Sequence, residues 1–359
     1  MPYTPFKVGK SLIIGLTVFL IFTSTEVLLR VRQFMRNGTF FNEEGVLYRR
    51  DPVLEKVLRP GVKIVGSSAA LSIDEWGFRG PDFPREKANG VFRIFVLGDS
   101  VVFERFAINN GTTWTARLEK TLNSSQTGKK VEVINAGIPG FKIDSAYCYL
   151  KDRVSGFKPD MVILYQGAND INYQSQIAHS SGRPEANEAD LLDFQRIGEK
   201  YFLWLDLLRS KTAAFLASGQ RSLRSDRIDS ASVDNYENGL RKIIDYCRKN
   251  GIILIPSTVA RSFRRSQPEW YQMQMSSSMM VYNPYLSVKG LNDAFDRFNG
   301  AVRDLSREQG LDLVDADAEV PSTEKYFRDH VHFTDAGDRL VARIFARKIL
   351  KRINQVPTP

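Results

Sequence analysis

Residues 92–100 read FRIFVLGDS, an apolar run that stops on a glycine, an acid and a serine. A continuous apolar stretch rich in β-branched and aromatic side chains is the pattern of a strand buried on both faces, as in a parallel sheet. Similar runs recur further on: VEVIN at 131–135, DMVILYQ at 160–166, GIILIPS at 251–257 and LDLVDAD at 311–317. Between and after them lie TWTARLEKTL, IDSAYCYLKDRV, VDNYENGLRKIIDYCRKN, LNDAFDRFNGAVRDLSREQG and DAGDRLVARIFARKILKRI, with apolar positions three and four apart. Strand alternating with amphipathic helix predicts an α/β fold, a five-stranded parallel sheet covered by helices on both faces.

The chain has 359 residues and 43% hydrophobic content, ordinary for a globular fold with a full core, which excludes disorder as its main state. Lys and Arg number 50 against 41 Asp and Glu, a formal net charge of +9, but the basic residues are spread among acidic ones. With no zinc-finger, RRM or basic-zipper pattern, nucleic acid is not expected as a partner. The surplus suits an anionic membrane surface or an acidic glycan better. Cys148 and Cys247 each fall inside a helical pattern without metal-like spacing and fix neither a disulfide nor a redox compartment.

The stretch SLIIGLTVFLIFTSTEVLLR, residues 11–30, can just cross a hydrocarbon core as a helix, with Lys7 and Lys10 before it and Arg30, Arg32 and Arg36 after it to reach the interfaces. It predicts a single-pass N-terminal transmembrane helix, a signal-anchor within residues 1–36 that contacts membrane lipid. A cleaved signal peptide would need an A-x-A-like site, which the Thr, Ser and Glu after Phe22 do not supply. A buried soluble helix conflicts with the all-round hydrophobicity of the first turns. The flanking charges alone favour a cytoplasmic main domain, a bias that long domains override, so they leave the side open. Residues 37–90, broken by Pro and Gly, are expected to form a connecting segment of short strands and turns. Residues 91–355 then form the main domain, with a helical insertion over 171–230 and an aperiodic loop over 260–286.

An open parallel sheet gathers reactive groups beyond the carboxyl ends of its strands. Gly98 lets the chain turn out of the first strand, and Ser100 at the start of the next element is either a helix cap or a nucleophile in need of a base. Of the 3 histidines, His179 lies in the polar insertion, whereas His330 and His332 stand in YFRDHVHFTDAGDRL at the mouth of the last helix, capped by Thr334 or Asp335. Asp329 and His332 are three residues apart, so the carboxylate can hold one imidazole nitrogen while the other faces the sheet edge. A metal reading of Asp329, His330 and Asp335 has no second ligand cluster to support it, and neither metal nor organic cofactor is expected. INAGIPGF after the second strand offers Gly137 and Gly140 as backbone donors, and QGAND after the third offers the amide of Asn169.

Together LGDS, NAGIPG, GAND and DHVH resemble, over roughly residues 90–355, the four blocks of the GDSL esterase/lipase family, also called SGNH hydrolases. The resemblance implies a flavodoxin-like three-layer α/β/α sandwich. It implies Ser100 as nucleophile, His332 as general base and then acid, Asp329 as its orienter, and an oxyanion hole of the Ser100 and Gly140 N–H groups with the Asn169 amide. DEWGFRG at 74–80 with an amino-terminal anchor is similar to a membrane-tethered bacterial branch, for which an extracytoplasmic catalytic domain is expected. The implied activity is that of a serine esterase cleaving acyl or acetyl esters through an acyl-enzyme, with a glycan of the cell envelope, a lipid or a small ester as substrate. Arg261, Arg264 and Arg265 beside Trp270 and Tyr271 would suit acylated glycans of the cell envelope. The alternatives are a membrane-tethered acyltransferase and a non-catalytic carbohydrate-binding protein on the same fold.

Overall fold

The computed structural model describes residues 9–37, 46–66, 70–125, 128–180 and 224–355. Most of the expected insertion over 171–230 lies outside the described residues. The chain begins with helix α1 (Lys10–Asn37), followed by two antiparallel hairpins, β1 (Tyr48–Asp51) with β2 (Glu55–Leu58) and β3 (Lys63–Val65) with β4 (Ala70–Ser72). Four strands then make the central parallel sheet: β5 (Val91–Gly98), β6 (Lys130–Gly137), β7 (Met161–Tyr165) and β8 (Ile253–Ser257), in the spatial order β6-β5-β7-β8. Every residue of β7 and all but the first of β5 are buried, so both faces of the sheet are covered, as continuous apolar runs require. The one charge inside β5, Arg93, is fully buried and answered by Glu132 at 2.9 Å and by the carbonyls of Pro84, Arg85 and Phe157.

The sheet has four strands among the described residues, not the expected five. Residues 311–315 do run beside β8, but they meet it in a single bridge, Val314 N–H to Pro256 O at 3.0 Å and Thr258 N–H to Val314 O at 3.2 Å. The next rung of a parallel ladder would need a proton from the nitrogen of Pro256, which carries none, so pairing stops there.

The helical layers are α2 (Ser100–Phe103), α3 (Trp114–Asn123), α4 (Ile143–Tyr149), α5 (Ala168–Ser180), α6 (Ser230–Lys249), α7 (Glu269–Tyr282), α8 (Val288–Glu308), α9 (Ala316–Glu319) and α10 (Asp335–Ile353). One group pairs α3 with α10 and lays α3 on β6; the other joins α4, α5 and α8 to α6, which lies on β8. Trp114 stacks on Phe345 at 5.0 Å in the first group, and Tyr236 on Phe298 at 4.6 Å in the second. Helix α7 replaces the aperiodic loop expected within 260–286. Its Glu, Met and Gln are strong helix formers, and they carry a helix without an apolar stripe because only a few of its residues, such as Met275 and Met279, are buried.

Helix α1 contains a 26-residue stretch long and apolar enough to cross a membrane, with Leu16, Phe19 and Leu28 among its exposed side chains. The segment 74–80 is built into the main core. Asp74 accepts from the N–H groups of Trp76 and Phe78, and Phe78 is buried against Phe95 and Phe157 at 5.3 and 5.4 Å. Arg79, also buried, donates to the carbonyls of Phe103 and Glu104 at 2.6 and 2.7 Å and to Asn110 Oδ1 at 3.1 Å, which fastens the end of α2. Burial lowers its guanidinium to about 10, against the raising effect of Glu104 and Asp338, so it stays charged at neutral pH. Cys148 and Cys247 are free thiols, the latter pushed up to about 12 by burial.

Candidate active site

Strand register sets the site. Gly98 pairs with Gly137 and Tyr165, and Tyr165 with Ser257, so the carboxyl ends of all four central strands finish in one row. At Gly98 a Cβ would stand 2.2 Å from the Tyr165 carbonyl oxygen and 2.4 Å from Val102 Cγ2, so only glycine lets α2 fold back so tightly on the strand end. Asp99, not Ser100, caps α2: its carboxylate accepts from Val101 N–H at 2.9 Å and leaves Ser100 as the first helical residue with its hydroxyl free for another partner.

That partner is His332. Its Nε2 lies 2.8 Å from Ser100 Oγ and its Nδ1 lies 2.8 Å from Asp329 Oδ2. Asp329 Oδ1 also accepts the N–H groups of Val331 and His332 at 3.0 and 2.9 Å, so the turn from 329 to 332 is closed around its own carboxylate. Burial alone would raise Asp329; the hydrogen bond and charge of His332, with His330 and the His332 N–H, outweigh it and hold the carboxyl well below the usual range. An ionised carboxylate only accepts, so Nδ1 carries the proton and Nε2 is free to take one from the serine. Phe106 meets the His332 ring edge-on at 5.4 Å. Thr334 caps α10 through Gly337 N–H at 3.2 Å, as one of the two expected caps, and so fixes the loop behind the histidine.

His330 points elsewhere. Its Nδ1 lies 2.8 Å from Ser278 Oγ, and burial pushes it down to about 4, leaving a neutral imidazole. His179 is exposed at the end of α5 against Tyr285. Among the described residues no group of three or more His, Cys, Asp or Glu side chains is placed to hold a metal ion.

Asn169 opens α5 with its amide nitrogen 3.4 Å from Asp99 Oδ2 and 3.3 Å from the Phe141 carbonyl, two long contacts that leave the amide loosely held. Gly140 has φ +88°, a backbone glycine adopts without strain, and is exposed. Gly140 and Asn169 line one cleft of about 240 Å³, walled on its far side by Leu54, Glu55 and Lys56 of the first hairpin. That hairpin is pinned to the main body by Asp51, whose second oxygen meets Arg153 at 2.7 Å.

Two buried acids stand beside these groups. Asp99 is fully enclosed and pushed up to about 6 by burial, opposed by Val101 N–H, His332 and Asn169. Asp170 is pushed up to about 7 by burial while accepting Ile143 N–H and Gln166 Nε2, each at 2.8 Å, so it ties α5 to the start of α4 behind Gly140. Both stand inside the blocks that carry Ser100 and Asn169. The basic loop expected to suit acylated envelope glycans pairs its charges internally: Arg261 with Asp296 and Asp317, Arg264 with Asp317, and Arg265 with Asp293 and Asp296.

The GDSL-like Lipase/Acylhydrolase family matches residues 96–340 of this sequence. Similar solved structures include a lipase/acylhydrolase from Enterococcus faecalis, 17% identical at a TM-score of 0.44 over 73% of this chain and 96% of that one. Another is an acetylxylan esterase from Geobacillus stearothermophilus, 17% identical at a TM-score of 0.43 over 72% of this chain and 94% of that one. No curated protein matches the sequence.

Proposed function

The chain belongs to the GDSL-like lipase/acylhydrolase family of carboxylic ester hydrolases, and from that membership we propose a serine esterase that works through an acyl-enzyme. The observation that carries the reading is the chain of contacts Ser100 Oγ to His332 Nε2 and His332 Nδ1 to Asp329, each 2.8 Å. In this mechanism His332 removes the proton of Ser100 as its oxygen attacks the ester carbonyl. The oxyanion is held by the N–H groups of Ser100 and Gly140 and the amide of Asn169. His332 returns the proton to the leaving alkoxide, and a water deprotonated by the same ring then releases the acid and restores the serine. Asp329 keeps the ring in one tautomer and balances the imidazolium that forms.

Ser100→Ala is expected to abolish hydrolysis of p-nitrophenyl acetate and labelling by a fluorophosphonate. Asn169→Ala should lower kcat about 10²- to 10³-fold with an unchanged circular dichroism spectrum. Wild-type rates in either variant overturn the assignment.

The same reading makes α1 a signal-anchor in membrane lipid. Its 26-residue stretch is about 39 Å long at the helical rise, enough to span the hydrocarbon core. The hydroxyls of Thr17, Thr23 and Thr25 bond to carbonyls one turn back, at 2.8, 2.9 and 2.8 Å, so none would be left unpaired in hydrocarbon. The substrate we assign is an acyl or acetyl ester on a glycan of the cell envelope, and the catalytic domain stands on the extracytoplasmic side where such a substrate lies. A membrane-impermeant fluorophosphonate should therefore label intact cells in the membrane fraction; labelling only after lysis would place the domain inside.

A further inference from the structure

Helix α5 starts at the candidate oxyanion donor and carries a polar stripe away from it. Asn169, Asn172, Tyr173, Gln176 and Ile177 are spaced three and four apart, so they share one face of the helix. Asn169 through Gln176 of that stripe line the cleft of about 240 Å³ beside Gly140. Tyr173 and Ile177 also line a second concavity of about 620 Å³, closed on its other side by Asn235, Asn238 and Arg241 of α6. Tyr173 is common to both, so the two concavities adjoin at its side chain, and the pair is called the groove. From Asn169 to Ile177 it follows the helix for about 12 Å, longer than one sugar ring.

The lining selects the occupant. Amides present donors and an acceptor together, the pattern that matches sugar hydroxyls. Asn238 and Gln176 are exposed in this lining, the Tyr282 ring offers an exposed apolar face, and Tyr173, also exposed, has Lys142 over one face of its ring. The charges along the second part are matched: Arg241 pairs with Glu237 and Glu308, and Lys242 with Asp144. A strongly anionic ligand would have to break those pairs. The sparse apolar lining, chiefly Leu54, Phe141 and Ile177, is too small to bury a long acyl chain. Lys142 holds the Tyr173 ring in place, with its ammonium 3.8 Å from the ring centroid.

We propose that this groove binds the sugar chain of a neutral acylated oligosaccharide, with the acyl-bearing ring at Gly140 and Asn169 and the following rings laid along α5 across Tyr173. The proposal rests on the esterase reading of the Ser100 site and names its substrate class. The test uses the full-length protein in detergent with partially acetylated xylo-, cello- and chito-oligosaccharides of increasing length, and p-nitrophenyl acetate as the short ester. In at least one series kcat/KM should rise with chain length, and Tyr173→Ala should lower the ratio of glycan to p-nitrophenyl acetate kcat/KM about tenfold. A second readout is calorimetric binding of the same sugars, without acyl groups, to Ser100→Ala, which should be lost in Ser100→Ala/Tyr173→Ala. Binding without any ester hydrolysis by the native protein would overturn the esterase reading and leave the groove assignment standing. Hydrolysis with no length dependence and no sugar binding in all series, or a preference for long-chain acyl esters, overturns the groove assignment alone.

Discussion

Asp329 carries more of the site than its single contact with the imidazole suggests, because three hydrogen bonds and two histidines converge on one carboxylate. Its folded pKa lies below the unfolded value of about 3.9, so the stability it supplies is present above that pH and is lost as pH falls through the folded value. Asp329→Asn should lower kcat by on the order of 10⁴-fold through the wrong tautomer, and should remove part of the acid-side loss of stability below about pH 4. Kinetics and thermal melts across pH read both. The 329–332 pair was legible because its three-residue spacing is local. The Asp99–Asn169 contact was not, because those residues meet only after β5 and β7 have paired. Nor did any single residue foretell that Asp99 rather than Ser100 would cap α2, since both types cap well.

At the level of elements, long apolar runs and strong helical periods were readable, and the misreadings fall where one residue or weak burial decides. Pro256 lies inside an apolar run that still makes a strand, yet it denies its neighbour a ladder and reduces the expected fifth strand to a bridge. Pro256→Ala should restore a donor facing Asp312, a gain of about 1 kcal/mol. The looser unfolded chain costs about 0.4–1 kcal/mol in return, so the melting temperature should scarcely move. The expected change is kinetic protection: the new amide at position 256 should exchange slowly with deuterium, and rapid exchange there would refute the account. Helix α7 shows the converse limit, since periodicity marks helices that bury a stripe and is silent on those that rely on propensity.

For the whole molecule the enclosed acids set the balance with pH. Burial pushes Asp74 and Asp99 up to about 6 and Asp170 up to about 7. Groups raised in this way contribute stability that is complete below the unfolded value and fades as pH climbs through the folded one, so the thermal midpoint should decline between about pH 4 and pH 7. Asp170→Asn should flatten that decline, which calorimetry at stepped pH would measure; an unaltered slope would show that the decline has another source. Composition and motifs indicated the class of molecule, but not how the residues ahead of the sheet join it. Arg79 is that joint, gripping the two carbonyls that end the helix bearing Ser100. The packing of residues 74–80 is thereby coupled to the turn that bears Ser100, so a change at one is felt at the other.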